Sequence, residues 1–218
     1  MTAIFDHLTA IVVGVVLLGS LLVLQTRDRL GRVEATLADA ARARSEAVLD
    51  VVARDTDNLL PRAQSDVFLG GPFRTRVVRT DSVTTEYTLA TFVRDTPSGA
   101  DAPAVVRYTL TATGTQATVA GRSVPLYRLL RQVDRGAGFD AGVPLGESVS
   151  DFSVAFGRAG GAVTTDGPPP EGVSSVHLRV AVAAPGADRL APDQRSTRAT
   201  LVARAEATVR PQNLGAVR

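Results

Sequence analysis

The chain lacks cysteine and lysine, and only two of its 218 residues are histidines, His7 and His177. Without cysteine there can be no disulfide, no thiolate metal site and no cysteine nucleophile. The two histidines lie far apart in the sequence and neither has the spacing of a zinc site. The chain therefore lacks the residues that a typical hydrolase or zinc site needs. We expect no enzymatic activity, no metal, no cofactor and no small-molecule substrate.

All 24 basic residues are arginine, which points to a coding bias rather than a physical demand. Because 22 acidic residues are interspersed with them, the net charge is only +2. So small a net charge gives no general attraction to a polyanion. Arg74, Arg76 and Arg79 fall in one predicted strand, but no aromatic stacking surface accompanies them. A nucleic-acid partner is therefore not expected.

A long apolar run occupies residues 8–24, seventeen positions without a charge, and Ile4 and Phe5 extend it. This length reaches the lower limit for a membrane-spanning helix and exceeds that of a buried strand. A cleaved secretory signal would need a basic segment before the run and a small-residue cleavage site after it, and neither is present. We therefore predict a retained transmembrane helix. Ala10 and Gly14 lie four residues apart and would let another helix approach closely.

The orientation of this helix is left open by its flanks. Arg27, Arg29 and Arg32 follow the apolar run, and no basic residue precedes it. Taken alone, the positive-inside rule would place the C-terminal side in the cytoplasm.

The helix is predicted to continue beyond the membrane, because residues 27–60 contain no proline and one glycine, Gly31. Pro61 would end it. The resulting rod, from Phe5 to Leu60, would be roughly 80 Å long. Acidic and basic residues four apart can pair at 28/32, 42/46 and 50/54. One apolar stripe follows the helix at three- to four-residue spacing: Leu30, Val33, Leu37, Ala40, Ala47 or Val48, and Val51.

After Pro61 the sequence favours β-structure, with alternating Val, Thr, Tyr and Phe cut by glycine and proline clusters. We predict strands over residues 73–79, 84–94, 105–112, 116–120, 126–130, 149–156, 173–182 and 197–209. The predicted fold is therefore α+β, a long N-terminal helix packed on an antiparallel β-rich head. The predicted segments are 1–26 for the transmembrane half-helix, 27–60 for the amphipathic helix and 61–218 for the head.

Three local patterns resemble functional motifs but are better explained as structure. Asp55 and Asp57 resemble the start of a calcium loop, yet the glycine at position six and the closing glutamate are missing. Gly136 and Gly138 spell part of a dinucleotide fingerprint, but no helix follows, so we predict a turn. His177 shares a strand face with polar residues and is predicted to face solvent.

The order of these parts resembles a type IV pilin-like protein, in particular the minor pseudopilin J of type II secretion and the W-type minor pilins. Residues 105–110 and 126–128 are similar to the family's "v-x-Y-x-l … L-x-R" strand pair. Residues 148–157 resemble its "V-x-x-f-x-v-x-y … G" segment, and residues 173–182 resemble its "P-x-x-V-x-x-V-x-v-x-l" strand. Residues 207–213 are similar to its terminal "v-x-x-R-N".

This resemblance implies a filament subunit at the tip or in assembly initiation, with other pilin-like subunits and the membrane as partners. It implies a single-pass protein of the inner (cytoplasmic) membrane, with its head in the periplasm or outside the cell. Residues 1–10 do not contain the family's Gly-Phe-Thr-x-x-Glu motif. Removal of Met1 would nevertheless make Asp6 the fifth residue, the position of the family's glutamate. The residues implied in subunit assembly are Phe5, Asp6, Ala10, Gly14, Leu30, Val33 and Leu37.

The filament interpretation predicts that Val48 and Val51 lie under the sheet, whereas Leu30, Val33 and Leu37 face neighbouring subunits or remain partly exposed. The main alternative is a bitopic membrane protein whose β-rich head is a standalone binding or scaffold domain. The three arginines after the apolar run favour that alternative, and the order of the head motifs favours the filament. A DNA-binding minor pilin would rest on the arginines alone.

Overall fold

The computed structural model describes residues 2–60, 76–80, 83–94, 101–119, 122–158, 163–164, 173–184 and 202–211. Side chains are described for these residues except 2–10, 76, 118–119 and 163–164. Some of the predictions lie outside these residues: Pro61 as a helix stop, residues 73–75 and 197–201 as strand ends, and the family-like ending at Asn213.

The N-terminal element is a single helix, α1, which spans Thr2–Asp57 without a break. The predicted rod is confirmed, although the helix ends three residues before Leu60. The chain leaves the helix because residues 58–60 pair with the sheet instead. The Leu60 amide donates to the Ala90 carbonyl oxygen, and the Phe92 amide donates to the Asn58 carbonyl oxygen, each at 3.0 Å.

The described residues after the helix form eight strands, all paired antiparallel. Seven form a continuous sheet in the order β1-β2-β3-β4-β5-β7-β8, and β6 pairs with β5 outside that path. The bounds are β1 Arg76–Thr80, β2 Val83–Arg94, β3 Asp101–Val119, β4 Arg122–Asp134, β5 Val143–Arg158, β6 Val163–Thr164, β7 Val173–Ala183 and β8 Val202–Val209. The predicted α+β layout is therefore confirmed.

Four of the predicted strands were too short or were parts of a longer strand. Residues 105–112 and 116–120 belong to one strand, β3, whose pairing with β4 shifts between Ala112 and Gln116. Gly114 lies there with a φ of 75°, so the predicted break is an irregularity within the strand. β4 and β5 also begin earlier than predicted. The added residues, 122–125 and 143–148, include proline, glycine and polar side chains, so hydrophobic alternation alone does not reveal that they pair.

The sheet curls, so that its first strands approach β5 without pairing with it. The Val154 amide of β5 donates to the Thr84 hydroxyl of β2 at 3.1 Å. The Arg79 guanidinium of β1 donates to the Ser153 hydroxyl of β5 at 3.4 Å. The C-terminal half of α1 contacts β2, β5, β7 and β8. One core therefore joins the helix to strands from both ends of the sheet.

The helix contributes a buried stripe that is rotated slightly from the predicted one. Val48 and Val52 are buried in the main core, whereas Val51 is only half-buried and Ala47 is exposed. The prediction for Val48 is confirmed, and Val52 replaces Val51. Of the three predicted charge pairs, only that between Arg42 and Glu46 forms, at 2.9 Å, in the described part of the chain. The buried stripe comprises Ala41, Ser45, Val48, Leu49, Val52, Asp55 and Thr56.

Two small clusters extend the core toward the exposed part of the helix. Ala41 packs with Leu37, Ala184 and Ala203. Ala183 packs in a separate cluster with Ala117, Leu126 and Val202, from the β3–β4 hairpin and β8. Consecutive residues at the end of β7 are thus both buried, because the helix covers one and the hairpin covers the other.

Candidate functional site

The first part of α1 exposes an apolar surface that nothing in the described head covers. Eleven large aliphatic side chains between Ile11 and Leu24 are each at least 51% exposed. Burying one such side chain is worth about 1.5–3 kcal/mol, so leaving all of them in water would be very unfavourable. Exposed apolar surface of this extent is typical of a segment that lies in lipid or packs on another protein.

By length and composition, α1 is a helix able to cross a membrane, with a mean hydropathy of 1.7 over its most apolar stretch. A core helix of the head could reach the same hydropathy, but it would be buried. None of this apolar stretch is buried. The helix is therefore a membrane-span candidate in its exposure as well as in its composition.

The predicted assembly residues fall into three groups. Phe5, Asp6 and Ala10 lie in the described helix backbone, but their side chains are outside the described set. Gly14 is partly exposed, and a Cβ placed on it would meet no atom within 4 Å. No contact with the described head therefore explains Gly14, and its open surface is available to another helix.

Leu30 and Val33 continue the exposed surface beyond the apolar run, at 40% and 51% exposure. Leu37 does not, because it is half-buried against Ala41 and Ala184. The predicted partial exposure is therefore confirmed for all three residues. Leu37 also marks the level at which the head begins to cover the helix.

At the other end of the helix, a buried charged group ties α1 to two strands. Asp55 and Arg131 have side-chain exposures of only 5% and 17%. Arg131 Nε donates to Asp55 Oδ2 at 2.6 Å, and Tyr108 Oη donates to the same oxygen at 2.5 Å. Tyr108 and Arg131 are directly opposite each other on β3 and β4. Charge-assisted hydrogen bonds of this length are among the stronger ones in proteins.

A second tyrosine extends this arrangement to β2. The rings of Tyr87 and Tyr108 stack with centroids 6.1 Å apart and planes 17° from parallel. Tyr87 Oη lies 3.2 Å from Thr56 Oγ1, which itself donates to the Val52 carbonyl oxygen at 2.7 Å. The Tyr87 hydroxyl is therefore the donor between them. We call Asp55, Thr56, Tyr87, Tyr108 and Arg131 the junction.

The electrostatics of the junction follow from its burial. Burial raises the pKa of both Tyr87 and Tyr108 above the ordinary value of 10.0, and the charge of Asp55 also raises them. Burial alone would lower the pKa of Arg131, but its hydrogen bond to Asp55 and the charge of that carboxylate raise it. At neutral pH the junction therefore holds one paired arginine and two neutral tyrosines.

The end of the helix is also capped by the sheet. Thr91 Oγ1 lies 2.7 Å from the Asp55 carbonyl oxygen and 2.8 Å from that of Asn58, so its hydroxyl can donate to either. Carbonyl groups in the last turn of a helix have no partner within the helix, and a side chain can supply one. Together with the pairing of residues 58–60, this contact fixes the rotation of α1 about its axis and its position along the sheet.

One signal for the junction is present in the sequence but is easily overlooked. The helical spacing that places Val48 and Val52 on the buried face continues to Asp55 and Thr56. Tyr108 lies at an inward position of the alternation in β3. A carboxylate on a buried helix face needs a buried partner. This argument predicts a partner for Asp55, although not that Arg131 supplies it.

The other residues singled out in the sequence make hydrogen bonds within the fold and do not form a site with one another. His177 Nδ1 lies 3.0 Å from the Thr208 hydroxyl and Nε2 lies 3.3 Å from that of Ser175, beside a shallow surface groove of about 290 Å³. Gly136 and Gly138 form the predicted turn, with their amides donating to Asp134 Oδ1. Over the residues with described positions, no group of three or more His, Asp or Glu side chains could hold a metal ion.

No protein-family model, curated protein or solved structure matches this chain. Its functional assignment therefore depends on the residues and on the geometry described above.

Proposed function

We propose that this chain is a membrane-anchored, non-enzymatic minor pilin or pseudopilin subunit of a type II secretion or type IV pilus-like filament, acting at the tip or in assembly initiation. The observation that carries this proposal is the division of one continuous helix. The first part of α1 is apolar and exposed, whereas the part from Leu37 to Asp57 packs on a curled antiparallel sheet.

The mechanism is mechanical. In the membrane, lipid chains cover the exposed aliphatic side chains of residues 11–24. When the subunit enters a filament, helices of neighbouring subunits replace that lipid. The exchange costs little in hydrophobic energy, because lipid chains are as apolar as leucine, and close packing then favours association. Gly14 leaves room for such packing, and Leu30 and Val33 extend the same contact surface beyond the membrane.

The junction supports this role by making the helix and the head one body. A subunit drawn out of the membrane by its helix must carry its head with it. The ion pair between Asp55 and Arg131 and the pairing of residues 58–60 with β2 resist sliding of α1 along the sheet. Directional polar contacts define one position, whereas aliphatic packing alone tolerates small shifts.

A second candidate function is a bitopic membrane protein with a standalone β-rich binding or scaffold head. Arg27, Arg29 and Arg32 favour it, because all three follow the span and are exposed. By the positive-inside rule this pattern would keep the head in the cytoplasm. Such a protein needs no neighbouring helix on Leu30 and Val33.

Cross-linking in the native membrane tests the proposal directly. Because the chain has no cysteine, Val33→Cys creates a single reactive thiol on the exposed part of the helix. Thr111→Cys, on the exposed side of β3, is the matched control. A thiol-to-amine cross-linker should join position 33 to pilin-like subunits, identified by mass spectrometry, and should join position 111 to them much less.

Leu30→Ala completes the test. It should leave the thermal stability of the head unchanged but reduce the amount of this chain in sheared surface filaments. The proposal would be wrong if position 33 yields no pilin-like partner and the chain is absent from sheared filaments.

A further inference from the structure

Three exposed arginines stand directly after the apolar run, and their guanidinium groups have no acidic partner in the described part of the chain. Arg27, Arg29 and Arg32 are all exposed, and none takes part in an ion pair there. Asp28 could pair with Arg32 by spacing but does not. Residues 27–32 therefore carry three positive charges and one negative charge, a net charge of +2, at the point where the helix leaves the apolar segment.

The helix geometry directs these side chains back toward the membrane. If the hydrocarbon layer ends near Leu24, the Cα atoms of Arg27, Arg29 and Arg32 lie about 4.5, 7.5 and 12 Å beyond it, at about 1.5 Å per residue. The headgroup layer is roughly 5–7 Å thick on each side. Every Cα–Cβ bond in an α-helix tilts toward the N-terminus, which here is the membrane side. Long arginine stems can therefore bring all three guanidinium groups to the phosphate level.

The three arginines also surround the helix. At about 100° per residue, Arg29 and Arg32 lie roughly 60° apart, and Arg27 lies about 140–160° from either. Lipids on more than one side of the helix can therefore be contacted. The guanidinium group is suited to phosphate oxygens, because its planar fork donates two parallel hydrogen bonds.

We propose that Arg27, Arg29 and Arg32 form a collar that binds the phosphate groups of anionic phospholipids in the leaflet nearest the head. The inference rests on the membrane anchoring in the proposed function, but not on filament assembly. The arginines would have this role whichever side of the membrane the head lies on. Their presence then reports the lipid that surrounds the helix rather than the direction in which the head faces.

Lipid selectivity of the full chain tests the collar. The protein would be reconstituted in vesicles of equal parts phosphatidylcholine and phosphatidylglycerol, and the association of spin-labelled forms of each lipid would be compared by electron paramagnetic resonance. Phosphatidylglycerol should be preferred, and the preference should weaken as salt rises. The variant with Arg27→Gln, Arg29→Gln and Arg32→Gln should lose the preference, by up to about fivefold in affinity for each arginine removed.

A charge-matched variant separates the collar from net charge. Arg44→Gln, Arg54→Gln and Arg94→Gln remove three exposed arginines far from the span and should keep the preference. Equal loss in both variants, or no preference in the unaltered chain, would overturn the collar and leave anchoring intact. Failure of the unaltered chain to float with vesicles would overturn the anchoring and the collar together.

Discussion

Truncation of Val52 to alanine tests which face of α1 the head covers. Val52 is 0% exposed and belongs to the main core with Val48 and Leu49. Its neighbour Val51 is half-buried, about 100° around the helix. The two residues are chemically identical and differ only in their burial, so Val51→Ala is a matched control.

The expected magnitude follows from the atoms removed. Val→Ala deletes two methyl groups, worth about 1.6 kcal/mol at about 0.8 kcal/mol each when fully buried. The cavity left behind adds to this cost, so Val52→Ala should destabilise by about 2–3 kcal/mol. Val51→Ala should cost about 1 kcal/mol or less. Alanine is the better helix former by up to about 0.7 kcal/mol, but that gain is common to both variants and cancels in their difference.

The assay is thermal unfolding of the full chain in detergent micelles, followed by circular dichroism. A change of 1 kcal/mol shifts the Tm of a domain of this size by about 2–4 °C, so Val52→Ala should lower the Tm by roughly 4–12 °C. Val51→Ala should lower it by a few degrees at most. An equal or larger loss for Val51→Ala would refute this packing. Asp55 and Thr56 would then also be rotated away from the tyrosines.

The remaining predictions concern the junction. Asp55→Ala should cost about 3–5 kcal/mol in denaturant unfolding, because Arg131 is left buried without its counter-charge, and adding Arg131→Met should recover part of that loss. No recovery in the double variant would contradict the pairing. Tyr87 and Tyr108 have a raised pKa when folded, so the unfolded chain releases their protons first as pH rises. The contribution of these tyrosines to stability should therefore be constant up to about pH 10 and fall above it by about 1.4 kcal/mol per pH unit for each tyrosine. Tyrosinate absorbance should show two tyrosines that ionise only on unfolding, and early ionisation of both would contradict their burial.

The length and exposure of α1 could be predicted from the sequence, because both depend on local composition. An uninterrupted apolar run and the absence of proline determine a helix without reference to the rest of the chain. Whether Val51 or Val52 is buried could not be predicted from the sequence, since both residues fit an apolar stripe. The tertiary contacts of Asp55 and Thr56 decide it.

Strand positions were predictable where hydrophobic alternation is strong, as in β2 and β7. Strand positions were not predictable where pairing continues through proline, glycine and polar residues, as at the starts of β4 and β5. The curl of the sheet depends on contacts between residues far apart in the chain, such as Thr84 with Val154. The ion pair of Asp55 with Arg131 has the same origin, because its partners are 76 residues apart. Local patterns show that a buried carboxylate needs a partner, but the topology decides which residue it is.

The side of the membrane on which the head lies tests the central claim most directly, because a filament subunit must expose its head outside the cytoplasm. Ala137→Cys places a single thiol on the exposed turn between Gly136 and Gly138, in a chain with no other cysteine. The proposal predicts that a membrane-impermeant maleimide modifies this thiol in intact spheroplasts, while a cytoplasmic thiol protein stays unmodified. Modification only after the membrane is broken would place the head in the cytoplasm and contradict the filament function.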